Sequence, residues 1–199
     1  MNHRSHLDYF KNWRTSSCAK GQVPVTWSND DLQFNWVNTI QTKEVPRDDV
    51  WPGFATEQKF YLEEIHSQWN IPDQSTQHYM ALEPILSDNL KTIFDNFKDK
   101  NYSYNFLKLT PGYMLVWHFD TYTTFVRRNN ISNEDTNKIK RTAILLDDWT
   151  FGQSIQIGND VVSHWNKGDT ITWDSYVWHG AANYGAEDLI IAQVSYIDE

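Results

Sequence analysis

His118 and Asp120 stand one residue apart in the run Lys108–Asp120, KLTPGYMLVWHFD. Side chains two apart on a β-strand point to the same face. An imidazole nitrogen and a carboxylate oxygen can therefore converge on one point. The neighbouring residues favour a strand. Tyr113 to Phe119 is mostly aromatic and aliphatic, and Pro111-Gly112 is a turn signal just before it. Polar residues placed where an apolar strand should continue break local consistency, and such breaks tend to mark sites. The plainer alternative is a strand end passing into a polar loop.

A third residue of ligand type, His179, lies in WDSYVWHGAANYG, after the turn Lys167-Gly168-Asp169 and the run Thr170–Trp173. Fifty-eight residues separate it from Asp120. Two imidazoles and one carboxylate on one side of a metal leave three positions open. That donor set suits non-haem Fe(II) chemistry, in which a bidentate co-substrate and O₂ must both reach the ion. Any one of these histidines could instead be a satisfied core or surface residue, as is expected of His164 and of His66.

Bringing such distant residues together requires a fold of many short strands. Eight alternating or apolar runs follow Tyr102, split by turns: Tyr104–Leu109, Tyr113–Phe119, Arg141–Leu146, Ser154–Ile157, Asp160–Ser163, Thr170–Trp173, Val177–Ala181 and Leu189–Tyr196. That density predicts an all-β sandwich or jelly roll. Asn129–Asn137 is a polar insertion, expected as a mobile surface loop. The first hundred residues predict helices over Leu7–Arg14, about Asp30–Thr42, Thr56–Trp69 and Leu82–Lys100. In the last, Ile85, Leu86, Leu90, Ile93, Phe94 and Phe97 form an amphipathic stripe. Thr15–Thr26, Val45–Phe54 and Ile71–Met80 read as loop or irregular chain. The expectation is one domain over 1–199, with a helical buttress over 1–100 and a jelly-roll core over 101–199.

Composition narrows the chemistry. A net charge of −9 disfavours duplex nucleic acid, which needs a basic face. A single cysteine, Cys18, excludes an intramolecular disulfide and a thiolate cluster, so any metal must be held by His, Asp or Glu. No run of eighteen or so apolar residues exists to span a membrane, and the first residues lack the apolar core of a signal peptide. A soluble cytoplasmic protein is expected.

His118-x-Asp120 followed by His179 resembles the HxD…H signature of the 2-oxoglutarate/Fe(II)-dependent oxygenases. Pro111-Gly112, Trp165-x-x-Gly168-Asp169 and His179-x-x-x-Asn183-x-Gly185 look like the same superfamily. The framework is somewhat similar to aspartyl/asparaginyl hydroxylases and to oxygenases found in phages. The resemblance covers about Tyr104 to Tyr196. It implies a double-stranded β-helix, a cupin-like jelly roll with the N-terminal helices packed on one face. It implies Fe(II) on His118, Asp120 and His179, 2-oxoglutarate as co-substrate, O₂, and hydroxylation of an unactivated C–H bond of a small molecule or peptide. Asp120 disfavours a halogenase, which typically lacks that carboxylate.

There is one departure. Many members carry Arg or Lys on the strand after the distal His, against the C5 carboxylate of 2-oxoglutarate. Here that strand, Leu189 to Tyr196, has no basic residue. Arg141 is the best substitute, with Arg127 and Arg128 as alternatives that could contact substrate. Asn183 is expected near the metal or 2-oxoglutarate. Tyr122 is a candidate for the substrate pocket, with Tyr113, Trp117, Phe119, Trp173 and Trp178 as further walls or core. Alternation places Met114 and Val116 on the His118 face. Two other readings stay open: a cupin-like metalloenzyme that does not use 2-oxoglutarate, and a non-catalytic jelly-roll binding module.

Overall fold

The computed structural model describes residues 17–38, 78–81, 84–120 and 122–197. Eleven strands are present among them: β1 Ala19–Gln22, β2 Trp36–Asn38, β3 Tyr79–Ala81, β4 Tyr102–Leu109, β5 Tyr113–His118, β6 Ile139–Leu145, β7 Gln153–Ile157, β8 Asp160–Val162, β9 Asp169–Asp174, β10 His179–Asn183 and β11 Leu189–Ile197. All eight runs expected after Tyr102 are strands. One moved: the expected Val177–Ala181 is His179–Asn183, because Val177 and Trp178 lie in coil between the turn at Ser175-Tyr176 and the strand.

The strands form two antiparallel sheets, a large one in the order β1-β9-β6-β11-β4-β3-β2 and a small one in the order β5-β10-β7-β8. From β4 onward the chain crosses back and forth between them, so β4, β6, β9 and β11 face β5, β7, β8 and β10. That winding is a double-stranded β-helix, a jelly roll built of two packed sheets. Period-2 patterning drives it. Leu107 and Leu109, Ala143 and Leu145, Ile171 and Trp173, and Leu189 and Ile191 turn inward from the large sheet. Ile155, Ile157 and Val162 meet them from the small one. The intervening residues Phe106, Ile144, Ala192, Val194 and Tyr196 face outward, into a second core.

That outer core is where the described residues of the first hundred pack, and there the expectations need correction. Leu82–Lys100 is not one long helix. The α-helix α1 covers only Asp88–Lys91, and the chain tightens to 3₁₀ over Thr92–Phe97. Pro84 cannot sit in a helix interior, and Ser87 starts the helix late by accepting a hydrogen bond from Leu90 N at 3.1 Å. Leu90, Ile93, Phe94 and Phe97 are buried as the stripe requires, whereas Ile85 is 94% exposed. Asp30–Thr42 is not α-helical in its described part. A single 3₁₀ turn, Asn29–Leu32, gives way to β2, which pairs with β3. Thr15–Thr26 contains β1, an edge strand on β9, and the 71–80 stretch enters β3. The expected helices Leu7–Arg14 and Thr56–Trp69 lie outside the described residues, as does His66. Arg127 and Arg128 end a short helix, α2 Thr123–Arg128, and Asn133–Lys138 within the polar insertion is 3₁₀. Among the described residues no helix is long and apolar enough to cross a membrane.

Candidate metal centre

The register of β5 against β10 decides what faces the interior. Ala181 pairs with Leu115, yet His179 pairs with His118. Two residues along β10 thus oppose three along β5. The extra residue is a β-bulge, which flips the phase of the strand beyond it. His179 and Ala181 lie on the inner face, opposite the buried Ile157 and Ile155 of β7. The bulge brings His118 to that face with Leu115. The expectation from plain alternation that Met114 shares the His118 face is therefore corrected, and the same expectation for Val116 lies outside the described side chains. Beyond the bulge β5 ends, and Asp120 reaches the same point from the coil that follows it.

His179 Nε2 lies 3.4 Å from Asp120 Oδ2, and His118 Nε2 lies 3.9 Å from Asp120 Oδ1. The three ligand atoms all fall within 4.8 Å of one another. Ligands at about 2.1 Å from one ion stand roughly 3 Å apart when cis, so the cluster is slightly wide and needs only a small contraction. His179 Nδ1 is 2.9 Å from Val177 O. A carbonyl can only accept, so the proton sits on Nδ1 and the Nε2 lone pair is free for a metal. His179 Nε2 and Asp120 Oδ2 are both buried and without a hydrogen bond. Two acceptors facing each other across 3.4 Å repel unless a proton or a cation lies between them. These donors fit a divalent transition metal.

Arg141 points inward from β6 and is 8% exposed. Its Nη2 is 2.9 Å from Asp120 Oδ2, an ion pair without the alignment of a hydrogen bond. Its Nη1 donates to Gln193 Oε1 at 3.0 Å, and its guanidinium lies 5.1 Å from the centre of the Tyr122 ring. Burial alone would raise the Asp120 pKa. The Arg141 charge, with His179 and His118, outweighs it and holds the carboxyl far below the usual range. For Arg141 burial works toward lowering, but Asp120 and Tyr122 outweigh it and push the pKa up. Burial, with the Asp120 charge beside it, raises the Tyr122 phenol, which stays neutral.

Two aromatic residues at the rim adopt left-handed backbone. Tyr122 has φ 52° and Tyr176 has φ 62°, with their rings edge-to-face at 6.3 Å. A non-glycine residue there costs about 1–3 kcal/mol and persists only where the surroundings impose it. Phe119 joins them, 6.2 Å from Tyr176 and 5.0 Å from the buried Trp178.

The other residues singled out in the sequence are placed as follows. Arg127 is exposed on α2. Asn183 is fully buried, but it sits four residues from His179 on β10, about 13 Å along a strand. Its Nδ2 donates to Leu109 O at 2.7 Å and Glu187 O at 2.8 Å, and its Oδ1 accepts from Gly185 N at 3.1 Å. The expected place for Asn183 beside the metal or 2-oxoglutarate is therefore corrected: its amide binds backbone at the opposite end. His164 is exposed, stacked on Trp149 at 4.0 Å and bonded to Ser163. Gln193 escaped notice, although a lone amide in the apolar run LIIAQV is the kind of inconsistency that marks a site. A cleft of about 690 Å³ that includes Asp147, Asp148, Glu187 and Asp188 shares no residue with the triad.

No protein-family profile matches the chain, and no curated protein matches it. Solved structures overlap it slightly. A predicted oxalate decarboxylase from Thermotoga maritima is 19% identical, over 61% of this chain and 82% of that one, with a TM-score of 0.39. A cupin domain from Bordetella pertussis is 11% identical, over 51% and 85%, with a TM-score of 0.34. A cupin domain of Schizosaccharomyces pombe is 7% identical, over 61% of each chain, with a TM-score of 0.38. Overlaps this slight carry no information on activity, so function must be argued from the site.

Proposed function

We propose that this protein is an Fe(II)- and 2-oxoglutarate-dependent oxygenase that hydroxylates an unactivated C–H bond of a small molecule or an amino-acid residue. The observation that carries this reading is the buried Arg141 guanidinium, 2.9 Å from the carboxylate of the metal-ligand set. A divalent ion on His118, Asp120 and His179 adds two positive charges and Arg141 adds one, against a single carboxylate. Buried charge without a counter-charge is costly, so such a pocket selects a dianion. 2-Oxoglutarate is one, able to offer two oxygens to an open-faced metal and a carboxylate to a guanidinium.

Bound there, Fe(II) would supply the activation of O₂ coupled to decarboxylation of 2-oxoglutarate. The residues of the chain prepare the site. Asp120 stays ionised because Arg141 and the imidazoles favour its charge. Val177 O holds His179 in the tautomer a metal needs. Phe119, Tyr122, Tyr176 and Trp178 make an aromatic rim that limits water.

A second reading has its own observation. Arg141 already pairs with Asp120 and Gln193, and β11 has no basic residue. On that reading Arg141 only positions Asp120, and the protein is a cupin-like metalloenzyme acting without 2-oxoglutarate. Anaerobic addition of Fe(II) and then 2-oxoglutarate separates the two. The first reading expects a visible metal-to-ligand charge-transfer band. Iron binding without that band supports the second, and no iron binding leaves a binding module.

A further inference from the structure

Most of the buried side-chain atoms that make no hydrogen bond are concentrated in one place. Among the described residues seven buried side-chain atoms make no hydrogen bond. Asp120 Oδ2 and His179 Nε2 belong to the triad, and Arg141 Nε and Tyr122 Oη flank it. Trp173 Nε1 completes that group. Trp173 is on β9, 3% exposed, with its ring 5.0 Å from the His179 ring. Its partner across the β6–β9 ladder is Arg141. Two register partners on the inner face therefore each carry a buried N–H that makes no well-aligned hydrogen bond. A buried donor left unsatisfied loses its hydration with no bond in return, and native chains leave few of them. An indole N–H can only donate, so its missing partner is an acceptor.

We propose that the Trp173 indole N–H is a binding donor for the anionic co-substrate, acting with Arg141, and that it helps make the pocket selective for a dicarboxylate. The inference rests on the reading that the site takes 2-oxoglutarate. Arg141 supplies charge to the ligand carboxylate, and Trp173 supplies a directed hydrogen bond from the neighbouring strand. An uncharged donor of this kind adds selectivity without adding a further buried charge.

Trp173→Phe removes the N–H and keeps most of the ring. Calorimetric titration of the anaerobic Fe(II)-loaded full chain with 2-oxoglutarate is expected to show about 10-fold weaker binding in the variant, with Fe(II) affinity unchanged. A purely packing role would lower the melting temperature of the ligand-free protein and leave 2-oxoglutarate affinity alone. A binding role reverses this: ligand-free stability holds or rises, because an unsatisfied donor is gone. As a measurement independent of the variant's folding, the Trp173 indole proton in the Zn(II)-loaded wild type should become protected from solvent exchange when 2-oxoglutarate is added. Equal 2-oxoglutarate affinity in wild type and variant, or an indole proton unaffected by the ligand, overturns the role of Trp173 alone. A wild-type protein that binds Fe(II) but not 2-oxoglutarate overturns the co-substrate reading and this inference with it.

Discussion

The two ends of β10 hold buried polar side chains in opposite conditions. At one end Asn183 uses its amide nitrogen and oxygen on Leu109 O, Glu187 O and Gly185 N. Around it the backbone is knitted shut: Gly112 N donates to Asn183 O at 2.8 Å and Tyr184 N to Gly152 O at 2.9 Å. Gly152, at φ 94°, has no room for a side chain, since a Cβ there would meet Gly185 N at 2.5 Å. At the other end His179 Nε2, Asp120 Oδ2, Arg141 Nε and Trp173 Nε1 have no hydrogen bond. The polar atoms named at both ends are buried; only at the Asn183 end do they make their hydrogen bonds. A buried polar group with all its bonds made holds the fold together, and one without them marks a place for a ligand.

The contrast can be broken most forcefully at Asp120. Asp120→Ala removes a metal ligand and strands Arg141 as an uncompensated buried charge, an effect of about 3–5 kcal/mol on the unloaded protein. Fe(II) binding by calorimetry should be lost and chemical denaturation should show the instability. A variant that keeps wild-type iron affinity would remove the triad from the metal site.

Asn183→Ala should act on stability alone, costing about 2–4 kcal/mol because two buried carbonyls lose their donor. The surviving folded protein should bind Fe(II) and 2-oxoglutarate as wild type does. Unchanged stability with lost 2-oxoglutarate binding would mean that this end, too, serves the ligand.

Arg141→Gln should weaken 2-oxoglutarate binding about 10–100-fold, the loss of one charge-assisted contact worth roughly 1.5–3 kcal/mol. Fe(II) should bind as well as before or better, since a competing cation beside Asp120 is gone. Unaltered 2-oxoglutarate affinity would favour the reading in which Arg141 only positions Asp120.

The smallest effect belongs to the apolar layer between the two ends. His78 lines a small apolar cavity with Leu107, Leu109, Leu189 and Ile191, and burial pushes its pKa down to about 4. The folded state prefers the neutral ring. Its contribution is fully present above the unfolded value near 6.5 and is lost as pH falls through about 4. Melting temperature should fall across that window, and His78→Leu should flatten part of the slope. An identical slope in the variant would assign the acid sensitivity to other groups.

Much of the β half was legible. The period-2 runs, the turn at Pro111-Gly112 and the Lys167-Gly168-Asp169 turn located all eight strands, because alternation is a local property that burial on one face enforces. The described part of the first hundred residues was less legible. The stripe from Leu90 to Phe97 suits 3₁₀ spacing as well as α, so hydrophobic pattern alone could not choose between them. Asp30–Thr42 carried a cap and apolar residues at helical spacing, yet Trp36–Asn38 is a strand because β3 offers it a pairing edge. Long-range partners override local propensity in such short segments.

The sequence by itself determined the strand pattern, the donor types His118, Asp120 and His179, and the exclusion of a thiolate cluster by a single cysteine. Their types and spacing are covalent facts, and no packing can change them. The tertiary structure decided the rest. It placed the bulge that turns His118 inward, the ion pair of Arg141 with Asp120, the separation of Asn183 from the metal centre, and the unpaired indole of Trp173. Each of these depends on register between strands far apart in the chain. A shift of one residue in that register reverses which side chains face the interior.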